Sequence, residues 1–538
     1  MPDDIKLALV HIHAGELEKA SAILSHILNS TPATPTAWYL SAAIQLQKNN
    51  VKQAISLFEE ALRYQANYPE ALKDLGIALS ADNQFEKAKN CYEKAIILKN
   101  DYASAYYNLA NIQKNEKNFD DAIQNYLLAI KYKPDYCNAL NNLALIYQAN
   151  GNYRESESLL TKALNISEND HEIMNNLGYN YYCDHQYDNA LNLFNHILRS
   201  APSYGPTLLN FGLLMLAMGS LAEAKHTLLK LSYNPRFHHK AMNNLAQIEL
   251  SKANFETGWQ YYRHRPSVRT LSFKTPDRLP DNLEGKSLLL YKDQGIGDEI
   301  FLARYIPILQ QYNAALSYYS SEKLSTIWQR NLPNIKIVTT TPNLDDFDFV
   351  ISLGDLPRLL YQNGYTDIPP PISLQPHSDI LKNIKNMLPN NRKKNIAATW
   401  EAGKKNHNTL FKRISPEILG QHLSSLDANI LVIQREPKSK DIKLLEQNLG
   451  ERVYNYSFAN ENLEEMLALL ALVDDYVCVS NTNNHLRNSL HLSSQVFVPH
   501  PPEWRWSNEG QKTRWFPNSK ILRQKKSGDW DNCFDNKH

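Results

Sequence analysis

The sequence predicts an α superhelix built from repeats, followed by an α/β region of two doubly wound lobes. Three observations predict it. A small residue returns at a constant interval through the first half. Short apolar runs then alternate with amphipathic segments through the second half, the pattern of a parallel sheet with crossover helices. Where the two halves meet, Leu288–Leu309 reads LLLYKDQGIGDEIFLARYIPIL, a strand-like run, a glycine turn and a helix-like run in succession.

The repeat is carried by Ala20, Ala54, Ala88, Ala122, Ser156, Ala190 and Ala224, all about 34 residues from their neighbours in the series. Four residues after each stands a bulky one: Leu24, Phe58, Tyr92, Tyr126, Leu160, Phe194 and Leu228. Leu75-Gly76, Leu109-Ala110, Leu143-Ala144, Leu177-Gly178 and Phe211-Gly212 recur in the first helix of successive pairs, and Pro32, Pro134 and Pro202 mark turns. Small residues let two helices approach, and large ones fill the gap beside them. A single helical hairpin cannot bury its own face, so stacking is obligatory. The interval is that of tetratricopeptide repeats, and a solenoid is expected over residues 1–264. In its last repeat Gly258 and Trp259 break the small-residue pattern, which marks the repeat that docks on the next domain.

Asparagine recurs on the first helices, at Asn108, Asn111, Asn141, Asn142, Asn175, Asn176, Asn180 and Asn210. It is a poor helix former, so its use in register points to a role. The concave face of such a solenoid holds a peptide or protein, and side-chain amides can grip an extended backbone. Asn108, Asn141, Asn142, Asn175, Asn176 and Asn210 are the candidate acceptor-binding residues. The plainer reading is that these amides solvate or cap.

Composition narrows the partners. The chain of 538 residues is 43% hydrophobic and 21% charged, with a formal charge of +1, which excludes the basic excess of a general nucleic-acid binder. Five cysteines lie far apart without a CxxC, so neither a disulfide framework nor a structural zinc site is expected. The first residues lack the order of a secretion signal, and no apolar run is long enough for a bilayer. A cytoplasmic protein without a membrane span is the expectation.

Arg265–Asp281 has scattered prolines and no periodicity, and reads as a connector. Residues 282–384 form the first lobe, with strands expected at Leu288–Tyr291, Ala315–Tyr318, Ile335–Val338 and Phe347–Ile351. Residues 385–538 form the second, with strands expected at Ile396–Trp400, Ile430–Gln434, Val453–Tyr456, Tyr476–Val479 and Gln495–Val498. Pro307 should kink or stop the helix that begins near Asp298.

Ligands of such sheets bind outside the carboxyl ends of the strands, so the loops there are the candidate site. Gly295 and Gly297 let the chain turn sharply and let a ligand approach, and Asp298 follows them. Asp298 also has a bland reading, since an acid in a first turn is favoured by the helix dipole. In the second lobe, Lys412 and Arg413 follow one strand with His407, while Ser480, Asn481, Thr482, Asn483 and His485 open a helix after another. Donors at a helix start suit a phosphate or diphosphate, and Lys and Arg nearby would share its charge. Taken singly, His485 reads better as a cap or core histidine, Asn481 and Asn483 as turn formers, and Trp504 and Trp506 as rings packed on the sheet.

FETGWQYY, DQGIGDEIFLARYIPIL, the AG…H…KR loop at Ala402–Arg413, VSNTNNHL at Val479–Leu486, PPEWRW at Pro501–Trp506 and RWFPNSKILRQKKSGDWD at Arg514–Asp531 stand in this order. On these motifs the second half resembles the heptosyltransferase-like glycosyltransferases of bacteria, in particular the branch with tetratricopeptide repeats in front. The resemblance implies a GT-B fold of two Rossmann-like lobes and an inverting, metal-independent transfer from a nucleotide-sugar donor, with no other cofactor. It implies that Asp298 is the general base and that the loop before His485 binds the diphosphate. Many relatives carry Asp-Thr where this chain has Ser480-Asn481, a departure that bears on the donor. Relatives with this layout include bacterial flagellin glycosyltransferases, whose repeats recognise the acceptor protein.

The expected function is therefore sugar transfer to a protein held by the repeats. Two other readings stay open: transfer to a glycan or lipid-linked acceptor, and an inactive scaffold.

Overall fold

The left-handed turns of the repeat show how regular it is. Gly15, Asn49, Asn83, Lys117, Gly151, His185, Gly219 and Ala253 all have positive φ, and they occupy one register of the period. Each closes the turn between the two helices of a hairpin. The computed structural model of the protein describes residues 3–402, 412–525, 530 and 533. It divides into two compact units, Met1–Ile197 and Leu198–His538.

In the first unit the helices run from Asp3–His13 onward in pairs such as Pro35–Gln47 with Val51–Tyr64 and Ala103–Asn115 with Phe119–Tyr132. Ala20, Ala54, Ala88, Ala122, Ser156 and Ala190 are all fully buried, as are Leu24, Phe58, Tyr126, Leu160 and Phe194. Close approach is the reason for the glycines of the first helices. A Cβ on Gly178 would lie 2.5 Å from the Phe194 ring, and one on Gly76 would lie 2.5 Å from Tyr92.

The second unit opens with further helices of the same kind, ending in His238–Ser251 and Phe255–Tyr262. Ten parallel strands follow among the described residues: β1 (Ser287–Tyr291), β2 (Ala315–Tyr319), β3 (Lys336–Val338), β4 (Phe349–Ser352), β5 (Lys394–Thr399), β6 (Ala428–Val432), β7 (Val453–Asn455), β8 (Asp475–Val479), β9 (Ser494–Val498) and β10 (Ser519–Arg523). They form one sheet of order β3-β2-β1-β4 and another of order β10-β9-β8-β5-β6-β7. Counted from its own first strand, the second sheet has the doubly wound order 3-2-1-4-5-6 read from the other edge. One apolar core runs beneath both sheets, taking in Leu288, Tyr318 and Ile351 with Ala397, Tyr476 and Val496. Arg330 clamps Glu464 with two bonds of 2.9 and 2.6 Å, which ties the helix after β2 to a helix of the second sheet.

Nine of the strands lie where the apolar runs place them. β10 is an addition, because SKILR carries too little apolar length to stand out. Helix Ile296–Leu302 stops early, and a short turn leads into Ile306–Leu309 with Pro307 in its first turn. The connector expected at 265–281 is not a free tether. Thr275 and Leu279 are buried, and Arg265 is 2% exposed. Its guanidinium donates to Asp293 at 2.7 Å, Asp355 at 2.7 Å and Ser352 at 2.7 Å. Gly354 makes room, since a Cβ there would sit 2.5 Å from Arg265 Nε.

Two tests follow from these contacts. Lys117→Gly removes the Cβ from a left-handed turn and should stabilise the repeats by about 1 kcal/mol in urea unfolding. Arg265→Ala leaves Asp293 and Asp355, 1% and 6% exposed, as unpaired buried charges, and should cost about 3–5 kcal/mol in the same measurement.

Candidate functional site

In an open parallel sheet the ligand crevice forms where the strand order reverses. The first sheet reverses between β1 and β4, and the second between β5 and β8. The first reversal is filled. Asp293 follows β1, while Ser352 and Asp355 end and follow β4, and these are the groups that hold Arg265. The second reversal is where Ser480–His485, after β8, and Trp400–Ala402, after β5, emerge.

Two adjacent acids leave the glycine turn after β1, and the fold sends them to different places. Glu299 is buried and accepts from Tyr318 Oη at 2.8 Å, Ser321 N at 3.1 Å and Ser321 Oγ at 2.5 Å. Asp298 instead lines a cavity of about 400 Å³ with Asn243, Gln247, Tyr262, Gln294, Glu503 and Arg505. Gly295 is the N-cap of the helix and also lines this cavity. Gly297 is a point of contact between the lobes. A Cβ there would lie 3.2 Å from Thr482 Oγ1 and 3.2 Å from His485 Cδ2. Gly297 and the start of helix Thr482–Ser489 are therefore in close contact, while Gly295 lies beside Asp298.

The organiser of the site is a residue that the sequence reading passed over. Glu503, inside PPEWRW, accepts from Ser480 Oγ at 2.9 Å and pairs with Lys412 Nζ at 2.5 Å. Burial would raise its carboxyl, but Lys412 and Arg505 outweigh it and hold the group down at about 2. Arg505 lies between Phe301 and Trp504, with its guanidinium 4.5 and 4.6 Å from the two ring centres. It donates to Asp298 Oδ1 at 2.5 Å, while its buried Nε has no hydrogen-bond partner among the described residues. Its own basicity is raised: burial opposes this, and Asp298 and Tyr262 overcome it.

Other candidates fall out differently. Asn481 caps the helix by accepting from Asn484 N at 2.9 Å, and it bonds Tyr476 Oη. Asn483 is buried in the first turn. His485 packs against Phe301 and Phe516. Burial and the nearby Arg505 push it well below its usual range, and its Nδ1 has no partner among the described residues. Arg413 is not part of this set: it stands 3.8 Å from Glu401 and 3.9 Å from Asp441. His407 lies outside the described residues. Trp504 and Trp506 are buried rings, packed against Trp259, Trp515 and Phe516.

The asparagines divide as well. Asn142 donates to Asn111 at 2.9 Å and Asn176 donates to Asn141 at 2.9 Å, so these amides bond one another from one repeat to the next. Asn141 and Asn175 are buried, while Asn108 and Asn210 are half-buried. An open grip along every rung is thus narrowed, since Asn141 already uses its oxygen within the solenoid.

Family models described as tetratricopeptide repeat match residues 5–71, 45–112, 103–136 and 135–203. The chain carries tetratricopeptide repeats in that region. Among solved structures, a tetratricopeptide repeat protein from Parabacteroides merdae is similar at 18% identity over 44% of this chain and 96% of that one, with a TM-score of 0.36. Pseudomonas aeruginosa pilF is similar at 15% identity over 38% and 93%, with a TM-score of 0.36. YrrB, a repeat protein described with an unusual peptide-binding site, is similar at 25% identity over 32% and 87%, with a TM-score of 0.28. No curated protein matches the chain. Among the described residues, no helix is long and apolar enough to cross a membrane.

The state of Glu503 is open to a pH test. Its carboxyl is depressed in the folded chain from an ordinary 4.5 to about 2. The stability it lends is present in full above about pH 4.5 and is lost as pH falls toward 2. Thermal melts of the wild type and Glu503→Gln should therefore converge as the pH is lowered through that window.

Proposed function

We propose that this chain is a glycosyltransferase of GT-B type that moves a sugar from a nucleotide donor to a polypeptide captured by its repeats. One observation carries the reading. Ser480, Lys412 and Arg505 gather round a single anionic group at the strand reversal of the six-stranded sheet, and Asp298 faces the adjoining cavity from the other lobe. A nucleotide diphosphate is the ligand that such a reversal, with a helix start and cations beside it, is suited to.

In this mechanism Asp298 is the base. Arg505 holds its Oδ1, leaving Oδ2 to take the proton of an acceptor hydroxyl as that oxygen attacks the anomeric carbon. The bond to the diphosphate breaks, and the leaving group departs with the electron pair. Its charge is met by Lys412, Arg505 and the amides of helix Thr482–Ser489, which is stabilisation by charges already in place. The substrate hydroxyl comes from a protein, because a solenoid of this length offers a surface for an extended chain.

A second reading is favoured by the Ser480-Asn481 departure. Both side chains are engaged within the protein, as they would be in a scaffold that no longer turns over. Calorimetry against a panel of nucleotides separates the two: no binding by a well-folded sample favours the scaffold.

The test of transfer is mass spectrometry of surface and flagellar proteins from cells with and without the gene, followed by assay with the donor so identified. Asp298→Asn should then lower transfer by at least about 100-fold while donor affinity is kept. Near wild-type transfer would remove Asp298 from the role.

A further inference from the structure

The residues suited to a diphosphate already hold an anion, and that anion is part of the chain. Ser480 and Lys412 were assigned to a donor phosphate on sequence grounds, and in the fold both turn to Glu503. Its carboxylate takes the Ser480 hydroxyl at 2.9 Å and the Lys412 ammonium at 2.5 Å. It stands next to Arg505 and at the edge of the cavity that Asp298 lines. A carboxylate and a phosphate oxygen ask for the same donors, and both bind short and strongly to charged ones.

The remaining groups round this point look underused for a purely structural cluster. Arg505 is 8% exposed and its Nε has no partner among the described residues. His485 is equally buried and Gln294 lines the cavity, and neither His485 Nδ1 nor Gln294 Nε2 has a partner among the described residues. Buried polar groups left unpaired are costly, and Arg505 and Gln294 line the same cavity as Glu503. A carboxylate supplies one small anionic group, and a diphosphate would offer several more oxygens.

We propose that the Glu503 carboxylate occupies the phosphate subsite of the empty protein and is displaced by the diphosphate of an incoming nucleotide. This rests on the reading of the crevice as a donor site, and it adds a resident competitor to it. On displacement, Ser480 and Lys412 transfer from the carboxylate to the ligand, and Arg505 is left to share its charge between the phosphate and Asp298. In the empty crevice the carboxylates of Glu503 and Asp298 thereby offset Lys412 and Arg505, so neither cation is left uncompensated.

The probe is inorganic pyrophosphate, titrated by calorimetry into the full-length chain. Glu503→Gln keeps the shape of the side chain and removes its charge, so it should bind pyrophosphate about tenfold more tightly than the wild type. Adding Lys412→Met to Glu503→Gln should abolish that gain. Equal or weaker binding by a folded Glu503→Gln chain overturns the proposal, because Glu503 would then be arranging the donors for the ligand. Absence of binding by both chains overturns it as well. If Glu503→Gln does not fold, Glu503→Asp draws the carboxylate back by one methylene and should also tighten binding; no gain there overturns it. Sugar transfer is not among these readouts, so failure to find a donor and failure of the resident competitor are told apart.

Discussion

A knot of aromatic rings holds the second unit together, and the candidate site is built on it. Trp259 comes from the last repeat, Phe301 from the helix after β1, and Trp504 and Trp515 from the end of the second sheet. Their ring centres stand 5.1 to 6.0 Å apart in edge-on pairs, the geometry aromatic rings prefer. Two buried arginines lie on this knot. Arg505 sits over Phe301 and Trp504, and Arg304 sits 4.2 Å over Phe301 while donating to the carbonyls of Phe301 and Trp515. Burial pushes Arg304 down to about 9. The rings therefore do more than fill space. Their negative faces hold the guanidinium that reaches Asp298, so the last repeat and both sheets take part in placing one side chain.

This arrangement explains how much could be seen beforehand. The repeat was legible because one small residue and one large residue in each period are set by helix contact, and contact tolerates little substitution at Gly178 or Ala122. Strands buried on both faces read as plain apolar runs, so β1, β5 and β8 were visible. β10 was not, as an edge strand with Lys520 and Arg523 has no such run. The glycine turn and the helix at Thr482–Ser489 were also readable from local chemistry.

What local chemistry could not show was pairing across the chain. Glu503 carried a signal, an acid inside PPEWRW among prolines and tryptophans, but nothing in its neighbourhood says that Lys412 and Ser480 will meet it. Arg413 was one residue too far along the chain: its neighbour Lys412 turns to Glu503, and it turns to Glu401 and Asp441. The asparagines are legible by register, but register does not show that Asn176 of the following repeat donates to Asn141. Arg265 seemed to belong to a connector only because its two carboxylates stand far along the sequence at Asp293 and Asp355.

That buried arginine has a consequence for stoichiometry. Two open parallel sheets in tandem, each with its own crossover point, have in principle two berths for a ligand. Here a side chain from the strap that precedes the first sheet is moored in one of them, with both of its carboxylates already taken. On the proposed donor-site reading, the crossover of the six-stranded sheet is then the one berth left open to a nucleotide.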